Sequence, residues 1–250
     1  MSYLQFRLAD YRFRPSWLGT LITVCCIPLF IKLGFWQYHK AEQKQTLQTL
    51  YDKYLHAPPV AVPQVIAQPE DWRYRQVKAK GEYEPRYQIL LDNQVADGRA
   101  GYHVITPLRI HNTQHLVLVD RGWIPAQDNH SVLPIIDTPV GQQEVTGQVW
   151  LPSTKFYSLE AKPSGSVSGA SWQILWQNMD MDRYVKSVPL PVLPLVIRLD
   201  AASRAGGFLR EWQRPAERIS NNLGYAYQWF GFAGTALAIY LIVSFKKIKE

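Results

Sequence analysis

Two long stretches without a charged side chain, one near each end, constrain this chain more than any other feature. From Pro15 to Ile31 there are 17 consecutive uncharged residues, and Lys32 is followed by Leu33-Gly34-Phe35-Trp36. About 20 apolar residues cross the hydrocarbon core of a bilayer. The first run reaches that length when Lys32 carries its ammonium to the interface on its aliphatic stem. Pro28 lies inside it and predicts a kink, which lipid-buried helices tolerate. The second run, Leu223 to Phe245, is 23 residues with no Asp, Glu, Lys or Arg. As a helix it is about 35 Å long, enough to cross with some tilt. Tyr225, Tyr227 and Trp229 open it and Tyr240 lies near its end, as interfacial anchors do. Lys246-Lys247-Ile248-Lys249 closes it.

The ends of the first run argue against a cleaved signal. A basic n-region is there (Arg7, Arg12, Arg14), but the residues after the run, Gly34-Phe35-Trp36-Gln37, are too bulky for a processing site. A retained anchor is expected. About 15 residues precede the span, too few for a transit peptide, which favours a bacterial inner-membrane protein. Two spans put both tails on one side. Each tail carries three basic residues, so both are expected in the cytoplasm. The expected organisation is a cytoplasmic tail (1–15), a first span (16–37), a helical stalk and Pro-rich linker (38–70), an extracytoplasmic β-rich domain (71–222), a second span (223–245) and a basic tail (246–250).

Charge placement excludes one class of function. The chain has a net charge of +7 and a pI near 9.3, which suits nucleic acid or membrane flanks equally. Residues 38–222 hold 20 basic and 18 acidic side chains, a net of only +2. The excess belongs to the flanks, and no nucleic-acid partner is expected. The two cysteines, Cys25 and Cys26, are adjacent inside the apolar run and exclude a disulfide framework or a zinc ribbon.

Past the first span, Leu47, Leu50, Tyr51, Tyr54 and Leu55 recur at helical spacing opposite a polar face, so the helix should run on to about His56. Pro58-Pro59, Pro63 and Pro69 then end it. From Trp72 the period becomes two: Val77, Ala79, Gly81 and Tyr83 alternate with Lys78, Lys80 and Glu82. Further strands are expected at Tyr87–Asp92, Tyr102–Ile110, His115–Arg121, Glu144–Trp150 and Trp172–Gln177, with turn signals between them at Asp97–Gly101, His111–Thr113 and Pro139–Gly141. Ser153–Ser171 reads as a mobile loop, Met179–Ser187 as a short helix, and Leu195–Leu199, behind three prolines, as an edge strand. The fold class is α+β: two terminal membrane helices flanking an antiparallel β-rich domain of about six or seven strands, a sandwich or a partly closed barrel.

Catalytic motifs are scarce. Gly165-Ser166-Val167-Ser168-Gly169 fits G-x-S-x-G, but a nucleophile elbow needs a buried strand before it, and none is there. No H-E-x-x-H, P-loop or G-x-G-x-x-G occurs. None of the six histidines forms a helical ligand pair. His39, at the outer mouth of the first span, is the best placed for an iron ligand and is a weak one. Asp120-Arg121-Gly122-Trp123-Ile124-Pro125 is more informative. An Arg ends an apolar strand, Gly permits a bend, Trp fills a pocket and Pro stops the pairing. Arg121 suits either a ligand carboxylate or a structural ion pair. Gly231-Phe232-Ala233-Gly234-Thr235-Ala236 gives the second span a small-residue face for close helix packing.

Together these features resemble the Surfeit locus protein 1 family of cytochrome c oxidase assembly factors. The pattern L-G-x-W-Q-x-x-R-x-x-x-K corresponds to Leu33, Gly34, Trp36, Gln37, Lys40 and Lys44, with Lys at the Arg position. G-Y-x-V-x-T-P-L corresponds to Gly101, Tyr102, Val104, Thr106, Pro107 and Leu108. R-G-W-[VI]-P corresponds to Arg121, Gly122, Trp123, Ile124 and Pro125. N-H-L-x-Y-A-x-x-W-F corresponds to Asn221, Leu223, Tyr225, Ala226, Trp229 and Phe230. The resemblance implies a non-enzymatic assembly factor, a chaperone of respiratory-chain biogenesis. It would hold haem a transiently if at all, with the oxidase's catalytic subunit, other assembly factors and membrane lipid as partners. The family's His is Asn222 here, and an amide is a poor iron ligand. The alternatives are an envelope scaffold that does not handle haem, and a hydrolase using Ser168.

Overall fold

The computed structural model describes residues 7–8, 11–127, 129, 132–153, 172–215 and 219–247, in two compact units. The first comprises the chain up to Thr49 and from Arg214 onward; the second is Leu50–Gln213. Ser153–Ser171, apart from its first residue, lies outside the described residues, and with it Ser168.

In the first unit, short strands β1 (Arg7–Leu8) and β2 (Tyr11–Phe13) precede helix α1 (Trp17–Leu55). Ser16 caps that helix, its Oγ accepting from the Gly19 N–H at 3.2 Å. At 39 residues α1 is about 58 Å long, so span and stalk are one helix and Pro28 does not end it. The stalk stops at Leu55, as the sequence pattern requires. The other helix, α3 (Ile219–Ser244), is followed by strand β11 (Phe245–Lys247). Both helices are long and apolar enough to cross a membrane. They run antiparallel: Thr20 Oγ1 meets the Tyr240 hydroxyl at 3.0 Å at one end, and Phe30 packs on Trp229 and Phe232 further along. β11 pairs with β2, Phe245 opposite Phe13, so the two ends of the chain are hydrogen-bonded together.

The second unit is an eight-stranded mixed sheet. Its strands are β3 (Val60–Ala61), β4 (Gln76–Tyr83), β5 (Ile89–Ala96), β6 (Arg99–Ile110), β7 (Leu116–Pro125), β8 (Gln142–Trp150), β9 (Leu175–Trp176) and β10 (Val192–Leu199), with helix α2 (Met181–Ser187) before the last. The order is β3-β4-β8-β10-β7-β6-β5-β9, and a further β4–β6 pairing closes β4, β8, β10, β7 and β6 into a ring. Two faces are buried, and the side-chain period of two sorts residues between them. On β7, Val117 and Val119 join one core with Leu195 and Ile197 of β10. Leu116 and Leu118 join another with Val196, Trp176 and Tyr184. Strands covered on both sides read as unbroken apolar runs.

The α+β class and the partly closed β-rich domain between two terminal helices are as expected, and three details differ. The sheet is mixed: β10 runs parallel to β7, β3 to β4 and β9 to β5. It has eight strands, two of them only two residues long. Leu195–Leu199 is not an edge but the middle of the ring, between β7 and β8. Pro194 is accommodated at a register shift between Val192 and Val196, where a missing N–H costs no ladder bond.

The strand at Arg121 also continues where an end was expected. β7 runs on to Pro125 through a bulge: His103 opposes Trp123, yet Ile105 opposes Asp120, so β7 carries one extra residue. Gly122 takes φ +112° there, and a Cβ on it would come within 2.5 Å of the Leu209 carbonyl oxygen. The bulge fixes the directions of Asp120, Arg121 and Trp123.

Candidate functional site

The family-pattern residues fall into two groups, one in each unit. In the helical unit, Gln37 and Lys44 are seven apart and therefore on one face of α1. Asn222 of α3 bridges them. Its Nδ2 donates to Gln37 Oε1 at 2.7 Å, and its Oδ1 accepts from the Lys44 ammonium at 2.7 Å. Both ends of the amide are thus engaged. Ala226, one turn along α3, is fully buried. Gly34 lies against the Phe230 ring; a Cβ there would be 2.5 Å from it. Phe230 meets Phe35 edge-on at 5.3 Å, and Trp229 packs on Phe30 at 5.8 Å.

Around this packed zipper the remaining motif residues are open. Trp36 is 51% exposed, with the Lys40 ammonium 3.8 Å from its ring centroid, one helical turn away. Tyr225 is 53% exposed, and Asn221 is exposed beside it. His39 is exposed too; its Nδ1 lies 3.4 Å from Glu42, and its ring stacks on Phe35 at 6.3 Å. Among the described residues no cluster of three His, Cys, Asp or Glu side chains could hold a metal ion. The arrangement offers an aromatic and cationic surface around a polar clasp.

In the β-rich unit, Arg121 is buried and its fork is spent inside the fold. Nε donates to the Gly206 carbonyl at 2.7 Å and Nη2 to that of Asp137 at 2.6 Å. Nη1 donates to the Thr138 and Thr106 hydroxyls at 2.9 and 3.4 Å. The guanidinium lies between the Tyr83 and Phe208 rings, 5.2 and 4.8 Å from their centroids. Burial lowers its pKa, and the Tyr83 hydroxyl and Asp137 partly restore it. These contacts lie within the fold but go to neutral carbonyls and hydroxyls, so among the described residues Arg121 does not form the ion pair weighed for it. Trp123 is almost fully buried and donates to the Gln94 carbonyl at 3.1 Å. Pro125 ends the strand opposite Gly101. Asp120 is buried, and both carboxylate oxygens face His103 Nδ1, at 3.1 and 3.0 Å.

Sequence reasoning named the clasp residues singly and did not connect them. It also passed over Arg198 and Trp212, which stand with His103 and Asp120 in the β-rich unit. A signal existed: Arg198 is the one charged residue in Val192–Leu199, and a lone cation in a doubly buried strand needs a reason.

Known proteins give this geometry a context. The model of the SURF1 family matches residues 24–234. A SURF1-like protein of Rickettsia felis is 24% identical over 89% of this chain and 95% of its own length. Surfeit locus protein 1 of Takifugu rubripes is 23% identical over 87% of this chain and 93% of the fish protein. An uncharacterized SURF1-like protein of Mycobacterium tuberculosis is 30% identical over 57% of this chain and 54% of the relative. With most of its length matched by the family model, and the motif residues packed in one helix pair and one β-bulge, the chain belongs to the SURF1 family.

Proposed function

We propose that this protein is a membrane-anchored assembly factor for a haem-copper terminal oxidase, assisting maturation of the catalytic subunit at the step where haem a is placed. Members of the SURF1 family are linked to cytochrome oxidase assembly, and that membership is the observation that carries the reading. Both helices cross the inner membrane of a bacterium (16–37 and 223–245). Both tails lie in the cytoplasm, and residues 71–222 lie outside. The pairing of β2 with β11 supports only that the two tails share a side, since hydrogen-bonded segments must. The protein acts by binding rather than catalysis. Trp36, Lys40, Tyr225 and Asn221, left open around the clasp, form the surface that meets the oxidase subunit.

The residues present do not fit axial haem ligation at position 222. The Asn222 amide is an unsuitable iron ligand, and both its ends are committed to Gln37 and Lys44. Any haem a handled here is held without that ligand. The test is the absorption spectrum of the oxidase purified from cells with and without this protein. Loss of haem a from the catalytic subunit is expected without it. Unchanged haem a content would favour an envelope scaffold that does not handle haem, which the missing histidine also supports.

A further inference from the structure

A cleft of about 460 Å³ opens in the β-rich unit beside the β7 bulge. That volume lies in the range of small-molecule sites. Its lining combines three indoles (Trp123, Trp150, Trp212) with Arg198 and His103. Arg198 stands with its guanidinium 4.4 Å from the Trp150 ring centroid and 5.3 Å from that of Trp212. Among the described residues it makes no ion pair, and its buried Nε has no acceptor there. Asp120 is near enough to act on it electrostatically, but that carboxylate is occupied by His103 and by the Gly122 N–H at 3.2 Å. A guanidinium partly withdrawn from water with its Nε–H unpaired is costly and calls for a partner, which a ligand in the cleft would supply.

We infer that this cleft binds a flat organic monocarboxylate, its carboxylate on the fork of Arg198 and its apolar body against the indoles. The planar fork matches a carboxylate in two parallel hydrogen bonds. Asp120 and Glu211 also line the cleft, so a dianion such as phosphate meets about twice the repulsion that a single charge does. Asp120 fixes His103 by its Nδ1, which leaves Nε2 for a second polar group of the ligand. The site involves neither Asn222 nor the helix pair, and does not depend on the oxidase reading.

The experiment is calorimetric titration of the full chain in lipid nanodiscs, with empty discs subtracted. The probes are 1-naphthoate and its neutral isostere 1-naphthamide. One naphthoate per chain is expected, bound about tenfold or more tightly than the amide, the usual margin for a charge-assisted pair. Arg198→Met is expected to bring naphthoate down to the level of the amide. Equal binding of the two probes, no saturable heat above the empty disc, or displacement of naphthoate by millimolar inorganic phosphate would overturn the assignment. The comparison of probes needs no variant, so the inference remains testable even where Arg198→Met fails to fold.

Discussion

Asn222 and Arg121 show how much one side chain settles when its partners are counted. Asn222 bridges Gln37 and Lys44, and one of its bonds is to a cation. Asn222→Ala should therefore cost about 1–3 kcal/mol of helix-pair stability, read as a lowered thermal midpoint in detergent. Asn222→His should not create a tight one-to-one haem complex unless the imidazole abandons both partners, and the Soret spectrum decides it. Arg121 satisfies four acceptors from one rigid fork, which a lysine cannot span. Arg121→Lys is expected to destabilise the β-rich unit by roughly 2–3 kcal/mol in denaturant titration. Alkaline pH tests the same neighbourhood. Burial pushes the Tyr83 phenol up to about 12, against the opposing pull of Arg121 and Arg210. An unfolded tyrosine ionises near 10, so the folded state holds this proton more tightly. The stability it brings is complete below about pH 10 and disappears as pH rises toward 12. Burial pushes Tyr184 up as well, with the same sign. Tyr83→Phe gives up a hydrogen bond to the Ala205 carbonyl but should flatten the decline in that window. An unaltered alkaline profile would remove Tyr83 from the account. Residue identities were legible in the sequence; their partners were not, because Asn222 and Gln37, or Arg121 and Gly206, meet only in the fold.

At the scale of elements, local pattern and long-range pairing part company. The alternation of β4 was readable because one face is buried and the other solvated: Val77, Ala79 and Tyr83 are buried while Lys78, Lys80 and Glu82 are exposed. The Asp97-Gly98 turn was readable because both residues take positive φ, as a tight two-residue hairpin demands. β10 was misjudged because prolines suggested an edge, although its unbroken apolar run Leu195-Val196-Ile197 already fitted a strand covered on both faces. Gly122 marked a bend, but the β7 bulge itself was not legible, since it is a mismatch in count between β6 and β7 that only their pairing shows. Its test is Gly122→Ala. At φ +112°, with the Leu209 carbonyl in the way, the substitution should cost about 2 kcal/mol or more and weaken the His103–Asp120 contact. Wild-type stability in that variant would mean the bulge relaxes freely.

For the whole molecule, the testable statement is topology. Protease added to intact spheroplasts should cut within residues 71–222 and leave both tails whole; the reverse pattern would invert the proposed arrangement. The terminal clasp bears on how such a molecule is made. All of 14–244 is synthesised between Tyr11–Phe13 and its partner, Phe245–Lys247. Until then β2 has β1 to pair with but not β11, and the second helix can dock against the first only after the β-rich unit has been made. Closing β11 onto β2 is therefore a late event in the making of this fold, a latch that can be thrown only once the segment after the second helix exists.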